Sequence, residues 1–279
     1  MIFDTHIHIG TYEKPNPKGM LESMDKAGVD KLALFADDPR FFEKDEGKLK
    51  EHNETRMAQM MVWYKEAPDR FVPIYYINPV EKTAMDQVDW ALDKGAKGFK
   101  VICEDFKPGD PRAMPVYQHI ADLDKAILFH SGILWDWGDN GNNNRPCNWE
   151  CMFEIRNIRF ALAHISWPWC DEAIALYGKF ACMAYHPKYA GQKMYIDMTP
   201  GTPECYRQHV IDTLYQVNYE HMDERLLFGS DLYTDGFNAQ DVADLAKSDT
   251  EKLLKAGFSR ETCENIMGKN ALRFWGLEG

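Results

Sequence analysis

Ile2-Phe3-Asp4-Thr5-His6-Ile7-His8-Ile9-Gly10 is a short apolar run that carries two histidines two residues apart and stops at a glycine. In a β-strand side chains alternate between faces, so His6 and His8 point the same way, about 7 Å apart. In a helix the same spacing would splay them by roughly 200°. The alternation of Phe3, Thr5 and Ile7 with Asp4, His6 and His8 favours the strand. Two imidazoles so placed can close on one cation if the rest of the chain supplies partners.

Seven further strand patterns follow, each trailed by a helical or loop segment. They are Lys31–Ala36, Phe71–Ile77, Lys97–Ile102, Ala126–Gly132, Arg159–Ile165, Lys193–Thr199 and Arg225–Asp231. Between them, Met20–Ala27 reads as a helix closed by Gly28. Met57, Met60, Met61 and Tyr64 form one apolar helical face, and Val210, Leu214 and Val217 another. A helix is expected from Glu150 to about Arg156. Thr202-Pro203 reads as a helix start, Ser248 and Glu251 have capping-box spacing, and Asn265–Gly276 reads as a closing helix. No linker, repeat or low-complexity tract divides the 279 residues. Eight strands alternating with helices predict a single-domain α/β fold over residues 1–279, a (β/α)8 TIM barrel, with an open doubly wound sheet as the alternative.

A hydrophobic fraction of 45% with 27% charged residues is that of a globular protein with a large core. The formal net charge of −12 argues against nucleic acid and anionic membranes as partners. No apolar run reaches the length of a membrane span, and the sequence opens on a strand with no secretory pattern. Seven cysteines without a Cys-x-x-Cys pair suit a reducing compartment, so the cytoplasm is expected. Cys147 and Cys151 could be half of a zinc site, but no second pair follows at matching spacing.

In a parallel barrel the C-terminal ends of the strands meet at one mouth. His6 and His8 end strand one, His130 strand five, His164 strand six and Asp231 strand eight. Five such donors at one rim would be costly to desolvate unless a divalent metal bound them. The loop Ile133–Trp149 is long and rich in Trp, Asn and Gly, as binding segments are. Trp135, Trp137, Trp167 and Tyr233 offer aromatic walls for a small-molecule substrate, together with Trp169. Arg145 offers a bidentate clamp for its carboxylate.

Asp4-x-His6-x-His8, Phe129-His130, Ala163-His164, Gly229-Ser230-Asp231 and the terminal Met267–Gly276 together resemble the amidohydrolase superfamily, in its amidohydrolase-related branch of hydrolases and decarboxylases. The resemblance implies that His6, His8, His130 and Asp231 hold one catalytic Zn²⁺, with Mn²⁺ or another divalent ion as alternatives. It further implies that Asp231 takes a proton from water, and that His164 polarises the substrate, shuttles a proton or ligates a second metal. Lys100 stands where binuclear members carry a carboxylated lysine, and it could instead bind a substrate carboxylate. Asp4 is expected to support the ligands from below. A homodimer is implied by resemblance alone. The expected activity is hydrolysis of a small carboxylated amide, ester or lactone by metal-activated water. Non-hydrolytic decarboxylation of an aromatic or unsaturated acid is the alternative. A binding protein without turnover is a third reading, disfavoured by the complete ligand set.

Overall fold

Nine parallel strands, curled into a barrel with helices on the outside, put every strand end named above at one mouth. The computed structural model describes residues 1–39, 47–136 and 138–278. The strands are β1 (Phe3–His8), β2 (Lys31–Phe35), β3 (Phe71–Tyr76), β4 (Gly98–Val101), β5 (Ala126–Phe129), β6 (Arg159–Leu162), β7 (Lys193–Asp197), β8 (Leu226–Leu227) and β9 (Leu232–Tyr233). Their order in the sheet is β8-β7-β6-β5-β4-β3-β2-β1-β9. The expected eighth strand is thus split. β8 pairs with β7 and β9 pairs with β1, and between them Phe228 O accepts from Thr5 N while Asp231 N donates to His6 O. One continuous segment closes the barrel on both sides, which excludes the open sheet.

Side chains of alternate parity build two cores. Phe3, Phe35, Ile74, Leu128, Ala161 and Leu227 fill the barrel interior, which Phe274 and Trp275 of α10 (Asn270–Trp275) plug from below. A Cβ on Gly98 would lie 2.4 Å from the Trp275 ring, so β4 needs a glycine there. The opposite faces, including Leu32, Phe99, Phe129 and Ile196, pack under the helices. Burying a large apolar side chain in either core contributes about 1.5–3 kcal/mol.

The outer layer comprises α1 (Pro17–Ala27), α2 (Leu49–Glu66), α3 (Ala84–Asp93), α4 (Ala113–Asp122), α5 (Cys170–Met183), α6 (Glu204–Val217), α7 (Met222–Arg225), α8 (Ala239–Ala256), α9 (Arg260–Glu264) and α10. Helix α1 ends at Gly28 in the left-handed conformation, as its sequence predicts. Three expectations are corrected. The Glu150–Arg156 segment is a 3₁₀ run over Pro146–Glu154. Pro203 precedes α6 as its N-cap rather than starting it. Ser248 and Glu251 lie inside α8, whose cap is Asn238, and the Ser248 hydroxyl instead accepts from Lys252 Nζ at 2.6 Å.

Helices α6 and α8 are tied by a buried ion pair. Arg207 donates Nε to Asp249 Oδ1 at 2.7 Å and Nη2 to Asp249 Oδ2 and to Met198 O at the end of β7. Breaking such a pair strands a buried charge. Asp249→Ala is expected to lower unfolding free energy by roughly 3–5 kcal/mol in urea titrations, and a loss under 1 kcal/mol would contradict this role.

Candidate metal centre and substrate cavity

β1 does not alternate regularly. Its register against β2 slips between Asp4 and Ile7, so Phe3 joins the interior core while His6 and His8 still face the mouth. The fully buried Asp4 carboxylate makes this possible, since its Oδ1 accepts from both His6 N and Ser230 N at 3.0 Å. Burial pushes its carboxyl up to about 7. Asp4 therefore sits below the site and holds backbone. Asp4→Ala leaves two buried N–H groups without an acceptor and is expected to cost roughly 2–4 kcal/mol in chemical unfolding. Asp4→Asn, which keeps an acceptor oxygen, should cost less than half of that.

His6, His8 and Asp231 each place a donor atom within 4.8 Å of the others. Asp231 Oδ1 lies 3.3 Å from Nε2 of both imidazoles. Burial opposes ionisation of Asp231, but the hydrogen bond with the His8 imidazole counters it and the carboxyl is held well below its usual range. Burial, reinforced by Lys100, lowers His6, and burial lowers His164, so both imidazoles are neutral. Two imidazoles and a carboxylate are the donor chemistry of a divalent ion, and His6, His8 and Asp231 fit one. Among the described residues no other group of three such donors comes together. Cys147 is exposed and all seven cysteines are free.

The remaining histidines stand beside that triad. The His164 ring lies 5.2 Å from His6 and 4.9 Å from His130, and both His130 and His164 line the cavity. His164 is aimed by unusual backbone: His164, Ile165 and Ser166 are all left-handed, with φ of 61°, 46° and 58°. Such non-glycine conformations cost about 1–3 kcal/mol each and mark sites where geometry is imposed. Its Nδ1 lies 3.0 Å from Pro200 O, an acceptor, so Nδ1 carries the proton and Nε2 the lone pair.

The cavity above these groups has a volume of about 260 Å³. Ile9, Ile102, Ile133, Leu134 and Trp167 give it apolar walls. Trp135 and Tyr233 stand at the rim, the first 82% exposed and the second stacked on His8 at 5.2 Å. Lys100 is fully buried, with Nζ 3.3 Å from His6 Nε2 and 5.0 Å from the centre of the Phe35 ring, and burial draws its ammonium down to about 8.

Arg145 corrects an expectation. It does not line the cavity: its guanidinium is bound by the Glu172 carboxylate and lies over Trp169. A clamp already closed on an internal carboxylate is not offered to a substrate. Trp137 lies outside the described residues.

A sequence model of the amidohydrolase family matches residues 3–277. The chain belongs to that family. Among solved structures, this amidohydrolase resembles 2,6-dihydroxybenzoate decarboxylase from Rhizobium, at a TM-score of 0.71 and 15% identity over 100% of this chain and 99% of that one. A 5-carboxyvanillate decarboxylase from Novosphingobium aromaticivorans, solved with manganese and a nitrobenzoic acid, matches at 0.68 and 12% over 99% and 97%. A putative amidohydrolase from Staphylococcus aureus matches at 0.69 and 13% over 99% of each chain. A search of curated proteins finds no match. Among the described residues of this amidohydrolase no helix is long and apolar enough to cross a membrane.

The sequence reading passed over three acidic residues of the site. Asp37 and Asp38, just beyond β2, line the cavity; Arg56 ties the Asp37 backbone to the end of β3 by donating Nε to Asp37 O at 2.7 Å and Nη2 to Tyr76 O. They opened a charged stretch that reads as loop. Asp197 ends β7 with Oδ2 2.7 Å from His6 Nδ1. Its signal was available, an ionisable residue at the C-terminal end of a barrel strand.

Proposed function

We propose that this amidohydrolase is a metal-dependent decarboxylase of a small aromatic or unsaturated acid. His6, His8 and Asp231 would hold the ion, with His130 beside them, and manganese or zinc suits the donors. The observation that carries the reading is the position of the cation. Among the described residues lining the cavity, Lys100 is the one lysine or arginine, and it sits against His6 instead of across the cavity. A substrate carboxylate would therefore be drawn to the metal site itself, since with Arg145 engaged elsewhere no second cation among the described residues lines the cavity to hold it away from there.

When bound, the ion supplies a Lewis acid that anchors the carboxylate and spreads the charge left on carbon. Lys100 adds a positive charge at the same end. The apolar walls formed by Ile102, Ile133, Leu134 and Trp167 suit the apolar body of the substrate and favour departure of a neutral molecule. Loss of CO₂ from R–CO₂⁻ must be matched by one proton delivered to the vacated carbon. His164 would relay that proton: with Nδ1 fixed on Pro200 O, Nε2 is the atom that would take a proton from water at the mouth and pass it to the carbon, returning the imidazole to its neutral form.

Hydrolysis is the second reading, favoured by the position of Asp231: its carboxylate stands against both His6 and His8, where it would meet a water brought to the metal site. One experiment separates the two. Protein loaded with Mn²⁺ or Zn²⁺ is incubated with hydroxybenzoic and unsaturated dicarboxylic acids, and with small lactones, esters and amides, in D₂O and in ¹⁸O-water. CO₂ release with deuterium at the vacated carbon is the expected result. ¹⁸O in a cleaved product would establish the hydrolase, and turnover of the acids by metal-free protein at the same rate would refute both.

A further inference from the structure

We propose that Asp197, a residue outside the metal-binding set, is a positioning residue that fixes the tautomer and angle of His6, with Thr199 and Gly229 holding it in place. The inference rests on the reading that His6 is a metal ligand, and it is carried by three separate contacts.

The first is the short link from His6 Nδ1 to Asp197 Oδ2, 2.7 Å, between two side chains with no exposure to solvent. With both Thr199 donors converging on Oδ1 the carboxylate is set to accept at Oδ2 as well, so Nδ1 carries the hydrogen and Nε2 turns its lone pair toward Lys100, His8 and Asp231. The second is the clamp on the carboxylate. Its other oxygen, Oδ1, accepts from Thr199 N at 2.9 Å and from the Thr199 hydroxyl, so the carboxylate cannot rotate away from the imidazole. The third is steric. A Cβ on Gly229 would lie 2.5 Å from Thr199 Oγ1 and 2.9 Å from His6 Cβ, and the arrangement closes only because the segment between β8 and β9 has no side chain there.

The same short segment acts twice. Two residues beyond Thr199 comes Gly201, and the carbonyl between them, Pro200 O, receives His164 Nδ1. Residues 197–201 thus hold two imidazoles of the site by Nδ1, leaving Nε2 of each turned away from this segment, without lining up a ligand of their own. A buried aspartate that merely satisfied its neighbours would not need to select a tautomer.

The test uses the full chain labelled with ¹⁵N-histidine, free of metal and then titrated with Zn²⁺ against a chelator. Long-range ¹H–¹⁵N spectra, assigned with His6→Gln, should show His6 protonated at Nδ1 in the wild type. Asp197→Ala should lose that tautomer and bind Zn²⁺ about 10- to 100-fold more weakly. Asp197→Asn should retain part of both effects, and Thr199→Val should fall between. If Asp197→Ala fails to fold by circular dichroism, Asp197→Asn and Thr199→Val decide. His6 protonated at Nε2 in the wild type, or unchanged Zn²⁺ affinity in the folded variants, overturns the proposal. A wild type that shows the Asp197-dependent tautomer but binds no Zn²⁺ keeps the positioning role and overturns the metal reading.

Discussion

Asp231→Asn is expected to abolish turnover, by roughly 10²- to 10⁴-fold or more, while the barrel stays folded. The carboxylate is one of three donors within 4.8 Å of one another and the one carboxylate among them, so its amide replacement removes the negative charge that would hold a dication. Its side chain is 36% exposed at the mouth and lies above both hydrophobic cores, so packing should not register the change. A thermal melt with and without Zn²⁺ or Mn²⁺ checks this separately from activity. Binding to the native state alone raises stability by RT ln(1 + [L]/Kd), about 2.7 kcal/mol at one hundred times Kd. The wild type should gain that increment and Asp231→Asn should lose most of it, with metal-free midpoints nearly equal. An unchanged metal-induced shift in the variant would place the ion elsewhere.

The barrel was legible because its signal is periodic and repeated. Eight apolar runs with polar strand ends recur with helices between them, and no single error in a boundary changes the order. The β1 irregularity was not legible, since a perfect alternation of Phe3, Thr5 and Ile7 with Asp4, His6 and His8 conceals a slip that only pairing with β2 reveals. Arg145 shows the converse failure. Residue type and loop context suit a substrate clamp, but its partner Glu172 lies 27 residues further on, in a helix the sequence gives no reason to bring near. Asp197 and Asp231 are both strand-end aspartates; the first was read as part of its strand because nothing local says that its carboxylate faces His6 across the mouth. Residue types at strand ends point to the donors gathered at the mouth, whereas the groups that orient them depend on which strands adjoin and at what height.

Gly201→Ala is expected to lower kcat about 10²-fold with little change in metal affinity. The added Cβ would lie 2.7 Å from His164 Cβ, 3.1 Å from Cγ and 3.3 Å from Nδ1, so something must move. The His164 backbone is poorly placed to yield, because it is the first of three consecutive left-handed residues, one of them the β-branched Ile165. The imidazole must tilt, the Nδ1 bond to Pro200 O is lost, and Nε2 swings away from the position where it exchanges a proton with substrate. His164 stands outside the three-donor group, so Zn²⁺ or Mn²⁺ titration should read near wild type. Gly141→Ala is the matched control on the same mouth, where a Cβ meets nothing closer than Ile133 at 3.6 Å, and it should keep its activity. A loss of kcat in Gly201→Ala with retained metal would assign His164 to proton transfer. Equal kcat in both variants would show that turnover does not depend on where that imidazole points.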